Sequence, residues 1–325
     1  MKVVLYGNFA AGNKARIAAS LQTPAELVTV FNADSADVKR DALADADVMV
    51  TSVFGANDPP APRIRLLQSS SAGIDRIDLN CLPAGCVVCN VFGHEIAIAE
   101  YIIGSVLYWA LDLGALSRVM QNGTWTLPDW VGGPDHGEAY GSTIGIVGFG
   151  RIGREVAIRA RALGMRVVAL SAWRSGPPDL ALVDAAYRGD EADTFVAQCD
   201  YFAVCAPLSD ETRGLVSAHW FNRMKPNAVV THVGRGTVID EAALYDALNS
   251  HRIRGASIDV WYNYPPASGA AVPPSQFAFH ELPNMLMTPH ASGRTGGTWD
   301  RRYKDVARNI DAFARGEPLI NVVRA

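Results

Sequence analysis

The stretch TIGIVGFGRIGREVAIRARALG, residues 143–164, constrains the fold more than any other. An apolar run, TIGIV, meets three glycines, Gly148, Gly150 and Gly153, and continues into REVAIRARALG, which has helical spacing. Strand, tight turn and helix in this order are what a dinucleotide-binding βαβ unit requires. The first glycine permits the turn, the second lets backbone approach a pyrophosphate, and the third lets the helix pack close to the strand. The helix N-terminus then supplies N–H groups and partial positive charge for phosphate.

A chain that binds NAD by this route usually ends its next strand with an acid that grips the ribose, about 20 residues on. Here the next strand reads RVVALS (166–171), and Ser171 stands where the acid is expected, with Arg174 three residues later. A carboxylate would repel a 2′-phosphate. Serine removes that repulsion, and an arginine offers a positive fork for phosphate. The pair therefore predicts a preference for NADP, with NAD also possible. Trp173 is placed to cover the adenine or to shield the loop.

Short β-like runs alternate with helical stretches almost throughout, which argues for parallel sheets covered by helices. One series runs KVVLYG (2–7), ELVTV (26–30), DVMVTS (47–52), RLLQSS (65–70) and CVVCNV (86–91). A second runs TIGIVGFG (143–150), RVVALS (166–171), YFAVCAP (201–207), NAVVTHVG (227–234), GASIDVW (255–261) and LMTPH (286–290). The fold class is thus α/β, with two Rossmann-like or flavodoxin-like parallel-sheet domains and a cleft between them. The boundaries fall at 1–95 plus 291–325 for a discontinuous substrate domain and 96–290 for the dinucleotide-binding domain. A helix is expected from Ile96 to about Arg118, and a crossing loop over 122–142. The C-terminal segment carries a helix, 298–316, and no strand series of its own, so it packs back on the first unit.

Composition excludes several classes. A net charge of −4 and the absence of a basic run with interleaved aromatics give no surface for nucleic acid. The most apolar window, Ile96–Leu111, is interrupted by Glu100. It falls short of the roughly 20 apolar residues of a membrane span. Five cysteines in a chain of 325 residues argue for a reducing, cytoplasmic setting rather than a disulfide framework. Cys86 and Cys89 form a CxxC, but GCVVCNV reads as a buried strand and no second ligand pair follows, so no metal is expected. His94 and Glu95 begin HEIAI, which lacks the second histidine of a zinc-protease motif.

Three downstream segments concentrate polar chemistry: THVGRGTVIDEAAL (231–244), GASIDVWYNYPP (255–266) and LMTPHASG (286–293). The first places Arg235 in a glycine-flanked turn after a strand, and the third places His290 in a similar turn after a proline. Ligands of open α/β sheets collect at the carboxyl ends of strands. A guanidinium and an imidazole there suit a carboxylate ligand beside a group that exchanges a proton.

GFGRIG, PLSDETRGL (207–215), MKPNAVVTHVGRG (224–236), GASIDVW and TPHASG occur in the order and spacing of the D-isomer-specific 2-hydroxyacid dehydrogenases. The resemblance covers essentially the whole chain, with SSSAGIDRIDL (69–79) resembling the family's substrate-side loop. It implies an oxidoreductase that reduces a small 2-oxo acid to the D-2-hydroxy acid with NAD(P)H, similar to glyoxylate/hydroxypyruvate reductases. Arg235 would hold the substrate's carboxylate and carbonyl oxygen, and His290 would protonate the carbonyl as hydride arrives. Ser71 and the backbone N–H groups of Ala72 and Gly73 would complete the substrate site. Gly148, Gly150, Arg151, Ile152, Gly153, Ser171, Arg174, Ala206, Pro207, Thr212, Val233 and Gly293 would line the cofactor site, and Asp259 would meet its nicotinamide end. The family dimerises through the region of the long apolar helix, which implies a homodimer.

Beyond Ser171, two positions depart from the family. His232 stands where Asn is common, and Tyr264, in WYNYP, replaces the Glu that pairs with the catalytic His. A carboxylate there orients the imidazole and favours its protonated form. A tyrosine orients the ring by a hydrogen bond without that electrostatic support, so activity should fall at lower pH than in a Glu-bearing relative. Formate dehydrogenases also lack the Glu, and the family's corepressors sense cofactor without turnover. Oxidation of a substrate that needs no proton relay, and cofactor sensing, are therefore the alternative readings.

Overall fold

A computed structural model describes residues 1–121, 123, 135–172, 181–266 and 269–324. Trp173, Arg174 and most of the loop expected over 122–142 lie outside the described residues. The chain forms two compact units, Met1–His94 with Arg294–Ala325, and Glu95–Gly293.

The first unit begins β1 (Lys2–Tyr6), α1 (Asn8–Ala11), α2 (Lys14–Ser20), β2 (Glu26–Val30), α3 (Ala36–Leu43), β3 (Val48–Thr51), β4 (Leu66–Ser69) and β5 (Val87–Cys89). The second holds α4 (Glu95–Ala110), α5 (Leu113–Gln121), β6 (Thr143–Val147), α6 (Arg151–Ala162), β7 (Arg166–Leu170), β8 (Ala185–Tyr187), α7 (Ala192–Gln198) and β9 (Tyr201–Val204). It continues with α8 (Ala218–Arg223), β10 (Val229–His232), α9 (Glu241–Asn249), β11 (Gly255–Ile258) and β12 (Met285–Met287). The chain closes in the first unit with α10 (Gly296–Arg315) and β13 (Val322–Arg324).

The first sheet is ordered β2-β1-β3-β4-β5-β13, with β1 to β5 parallel and β13 antiparallel on β5. Its parallel part has the flavodoxin-like order. The second sheet, β8-β7-β6-β9-β10-β11-β12, is parallel throughout and has the Rossmann order. Alternation within its strands feeds two cores. Ile144, Ile146, Val167 and Ala169 face α4 and α6, while Val147, Val168 and Leu170 join Phe195, Trp220 and Leu244 on the other face. A sheet covered on both sides explains why β6 is buried at every residue and carries a continuous apolar run.

Three elements differ from the sequence expectation. The helix expected over Ile96–Arg118 is broken, and Asp112 sits at φ 51° between α4 and α5. Aspartate tolerates this left-handed conformation better than most residues, so the break falls there. The end of the chain contributes a short strand, β13. Asn309 on α10 positions it, accepting from Ile320 N–H at 2.9 Å and donating to Ile320 O at 3.0 Å and Gln68 Oε1 at 2.6 Å. The short edge strand β8 had no apolar run to announce it. Cys86 and Cys89 are buried around β5, and burial pushes the Cys89 thiol up to about 11. Among the described residues, no helix is long and apolar enough to cross a membrane.

Candidate active site

In the second unit the topology reverses between β6 and β9, and the glycine turn lies there. Gly148 has φ 91°, and a Cβ on it would stand 2.7 Å from the backbone of Ala206. Its N–H donates to Leu170 O at 2.8 Å, which binds the turn to β7. Gly153 is as constrained, since a Cβ would meet Gly148 O at 2.8 Å and Ile146 at 3.0 Å. Gly150 is the N-cap of α6, has no side chain to cap it, and faces open space. A side chain at Gly150 would enter the open space before α6, and one at Gly148 or Gly153 would displace the turn, so the residues present fit a dinucleotide's pyrophosphate against the start of α6. Arg151 and Ile152 form the helix's first turn.

Ala206, Pro207, Val233 and Ser171 follow β9, β10 and β7 at the same carboxyl edge. Ala206 and Val233 are buried. Pro207 O accepts the Thr212 hydroxyl at 2.6 Å, and Thr212 Oγ1 accepts Ser209 N–H at 2.8 Å, which shapes the loop after β9. Ser171 N–H donates to Tyr187 O at 3.2 Å.

Arg235 and His290 follow β10 and β12, with β11 between them in the sheet. Arg235 is extended, with φ −136°, and its Nη1 donates to Gly234 O at 3.0 Å. His232 lies beneath it, 1% exposed. Its Nε2 is 2.9 Å from Arg235 O and its Nδ1 is 3.3 Å from Val204 O. Both carbonyls favour a charged ring, but complete burial outweighs them and lowers the imidazole to about 4. The ring is therefore neutral near pH 7 and has one proton to donate. The shorter contact gives that bond to Arg235 O, which fixes the turn carrying the guanidinium.

His290 has φ 52°. The turn that carries it is gripped by Asp259, which is fully buried. Asp259 Oδ1 accepts the Thr288 hydroxyl at 2.6 Å and Ala291 N–H at 2.7 Å, and Oδ2 accepts Ser292 N–H at 3.0 Å. Gly293 ends this segment. Tyr264 Oη lies 2.9 Å from His290 Nδ1, with the rings 5.6 Å apart in an edge-on arrangement. Trp261 N–H donates to the same Oη at 3.3 Å, and Trp261 Nε1–H donates to Thr288 O at 2.9 Å.

Thus Gly148, Gly150, Gly153, Ala206, Val233, Arg235, Asp259, Tyr264 and His290 share the carboxyl edge of one sheet. Ser71, Ala72 and Gly73 belong to the first unit, in the loop after β4. Their carbonyls accept Ser69 Oγ–H at 2.9 Å, Asn90 Nδ2–H at 2.8 Å and Ser71 Oγ–H at 2.9 Å respectively. Sequence reasoning missed Thr288 and the supporting roles of Trp261 and His232. Thr288 carried a signal, its place two residues before His290.

Comparison with known proteins identifies the family. Residues 103–292 match the sequence profile of the D-isomer specific 2-hydroxyacid dehydrogenase, NAD binding domain. The chain is 31% identical over 287 residues to a glyoxylate reductase of Pyrococcus furiosus, covering 84% of this chain and 81% of that one. It is 29% identical over 287 residues to a D-3-phosphoglycerate dehydrogenase of Methanocaldococcus jannaschii, covering 86% of this chain and 52% of the relative. The chain spans about half the length of the phosphoglycerate dehydrogenases it matches. The fold is shared with a D-isomer specific 2-hydroxyacid dehydrogenase from Lactobacillus delbrueckii ssp. bulgaricus, with TM-score 0.82, 20% identity and complete coverage of both chains. Strand order, glycine turn and profile converge on one conclusion: the chain belongs to the D-isomer specific 2-hydroxyacid dehydrogenase family.

Proposed function

We propose that the protein reduces a small 2-oxo acid of the glyoxylate or hydroxypyruvate type to its D-2-hydroxy acid, using NAD(P)H with a preference for NADPH. The observation that carries this reading is the placement of Arg235 and His290 at the carboxyl ends of β10 and β12, on the sheet whose β6 turn forms the phosphate cradle. The nicotinamide supplies hydride to the carbonyl carbon. Arg235 binds the substrate carboxylate and neutralises charge growing on the carbonyl oxygen, and His290 delivers the proton. Such general acid catalysis contributes on the order of 10²–10⁴-fold. We also assign carboxylate binding to Ser71, Ala72 and Gly73, in the loop after β4.

The preference for NADPH rests on Ser171 at the end of β7 and on Arg174 three residues later in the sequence. The homodimer is supported by α4, whose Ile103, Leu107 and Tyr108 are only partly buried within this chain. The test is a screen of 2-oxo acids with NADPH and NADH side by side, with formate and NAD⁺ as the contrasting pair. Turnover of glyoxylate or hydroxypyruvate, faster with NADPH, is the expected result. Formate oxidation alone, or no turnover with any 2-oxo acid, overturns it.

A further inference from the structure

We propose that Tyr264 and His290 act as one composite acid, in which the phenol replaces the proton that the imidazole gives to substrate; this rests on the reductase reading above. Tyr264 Oη lies 2.9 Å from His290 Nδ1. One side of Oη already accepts Trp261 N–H at 3.3 Å, so its own proton is free to point at Nδ1. A neutral imidazole that accepts at Nδ1 carries its single proton at Nε2, the donor nitrogen that reduction needs. A glutamate cannot set this tautomer. Its carboxylate has no proton to give, so it accepts from Nδ1–H and favours the imidazolium. A phenol satisfies both states, accepting from Nδ1–H of the imidazolium and donating to Nδ1 of the neutral ring.

Two acids therefore operate in succession as pH rises. At low pH the imidazolium gives its Nε2 proton to the substrate. When the ring is neutral, its Nε2–H becomes the acid. As hydride from the reduced nicotinamide forms the new C–H bond, the Nε2–H bond breaks and the substrate's O–H bond forms. The Nδ1–H bond forms as Oη–H breaks, and the electron pair stays on the phenolate. The products are the hydroxy acid, the oxidised nicotinamide, a neutral imidazole and a phenolate. Water then reprotonates the phenolate, because Tyr264 is 49% exposed. Among the described residues, the charged groups that weigh on the phenol are Arg235, which favours the phenolate, and Asp259, which opposes it. Burial is the larger influence and holds the phenol above its ordinary value, so it stays protonated through the neutral range.

The experiment is the pH profile of kcat/KM for the best 2-oxo acid in the parent, Tyr264→Phe and Tyr264→Glu, with thermal melts to confirm folding. The parent's kcat/KM should decline as pH rises and then level out. Tyr264→Phe should continue to fall, so that the parent-to-variant ratio grows at least about 100-fold between pH 6 and pH 9, the lower end of the range for general acid catalysis. Tyr264→Glu should show one limb, displaced to higher pH. In ¹⁵N-histidine spectra of the parent, neutral His290 should carry its proton on Nε2. Parent and Tyr264→Phe profiles of the same shape, or a neutral Nδ1–H tautomer, overturn the dyad while leaving the reductase standing. A parent that turns over no 2-oxo acid at any pH overturns both.

Discussion

Acidification from pH 7.5 to 4.5 should destabilise the protein through His232, a residue that no proton-transfer step uses. In the unfolded chain this imidazole titrates near its ordinary value of 6.5, whereas in the folded protein burial lowers it to about 4. Between those values the unfolded state binds the extra proton, so stability falls as pH falls. The contribution is complete above about 6.5 and is lost as pH descends through the folded value. At about 1.4 kcal/mol per unit of difference, the loss between pH 7.5 and 4.5 is about 2.5 kcal/mol. The assay is urea unfolding of the parent and His232→Asn at pH 7.5, 6.5, 5.5 and 4.5, with the difference in stability between them followed against pH. Asparagine keeps a donor in the pocket but does not titrate, so the parent should lose about 2.5 kcal/mol relative to the variant. A difference that stays constant within about 0.5 kcal/mol across the series would refute the argument, since burial would then not be suppressing the charge.

Asp259→Ala should strand three donors, the Thr288 hydroxyl and the N–H groups of Ala291 and Ser292. A loss of about 3 kcal/mol is expected in denaturant unfolding, with kcat falling as the His290 turn loosens. Gly148→Ala should abolish cofactor binding in a fluorescence titration with NADPH, because the new methyl meets Ala206 backbone at 2.7 Å and strains a φ of 91°. Arg174→Ala should lower the NADPH-to-NADH ratio of kcat/KM by at least about tenfold, the share of one charge-assisted phosphate contact. An unchanged ratio removes the 2′-phosphate reading.

The parts of the site that lay within one stretch of chain were legible early. GFGRIG announced its turn because strand, glycines and helix are contiguous, and the collisions around Gly148 and Gly153 supply the steric reason for each glycine. Arg235 and His290 were visible because each sits in a short polar turn directly after an apolar strand. Asp259 stood out only through the family resemblance, and nothing local indicated that its three donors come from residues 288–292.

The sequence by itself determined the α/β class, the glycine turn and the carboxyl-edge placement of the polar turns. Each of these depends on periodicity or sterics over a few residues. Tertiary structure alone decided which strands became neighbours. With β11 between β10 and β12, Asp259 reaches under the His290 turn, and the chain after β11 carries Tyr264 to His290 Nδ1 across 26 residues. It also decided that His232 is neutral. An imidazole's charge is set by how completely water is excluded, and that exclusion depends on tertiary packing, which brings β9 and its Val204 carbonyl against a ring on β10.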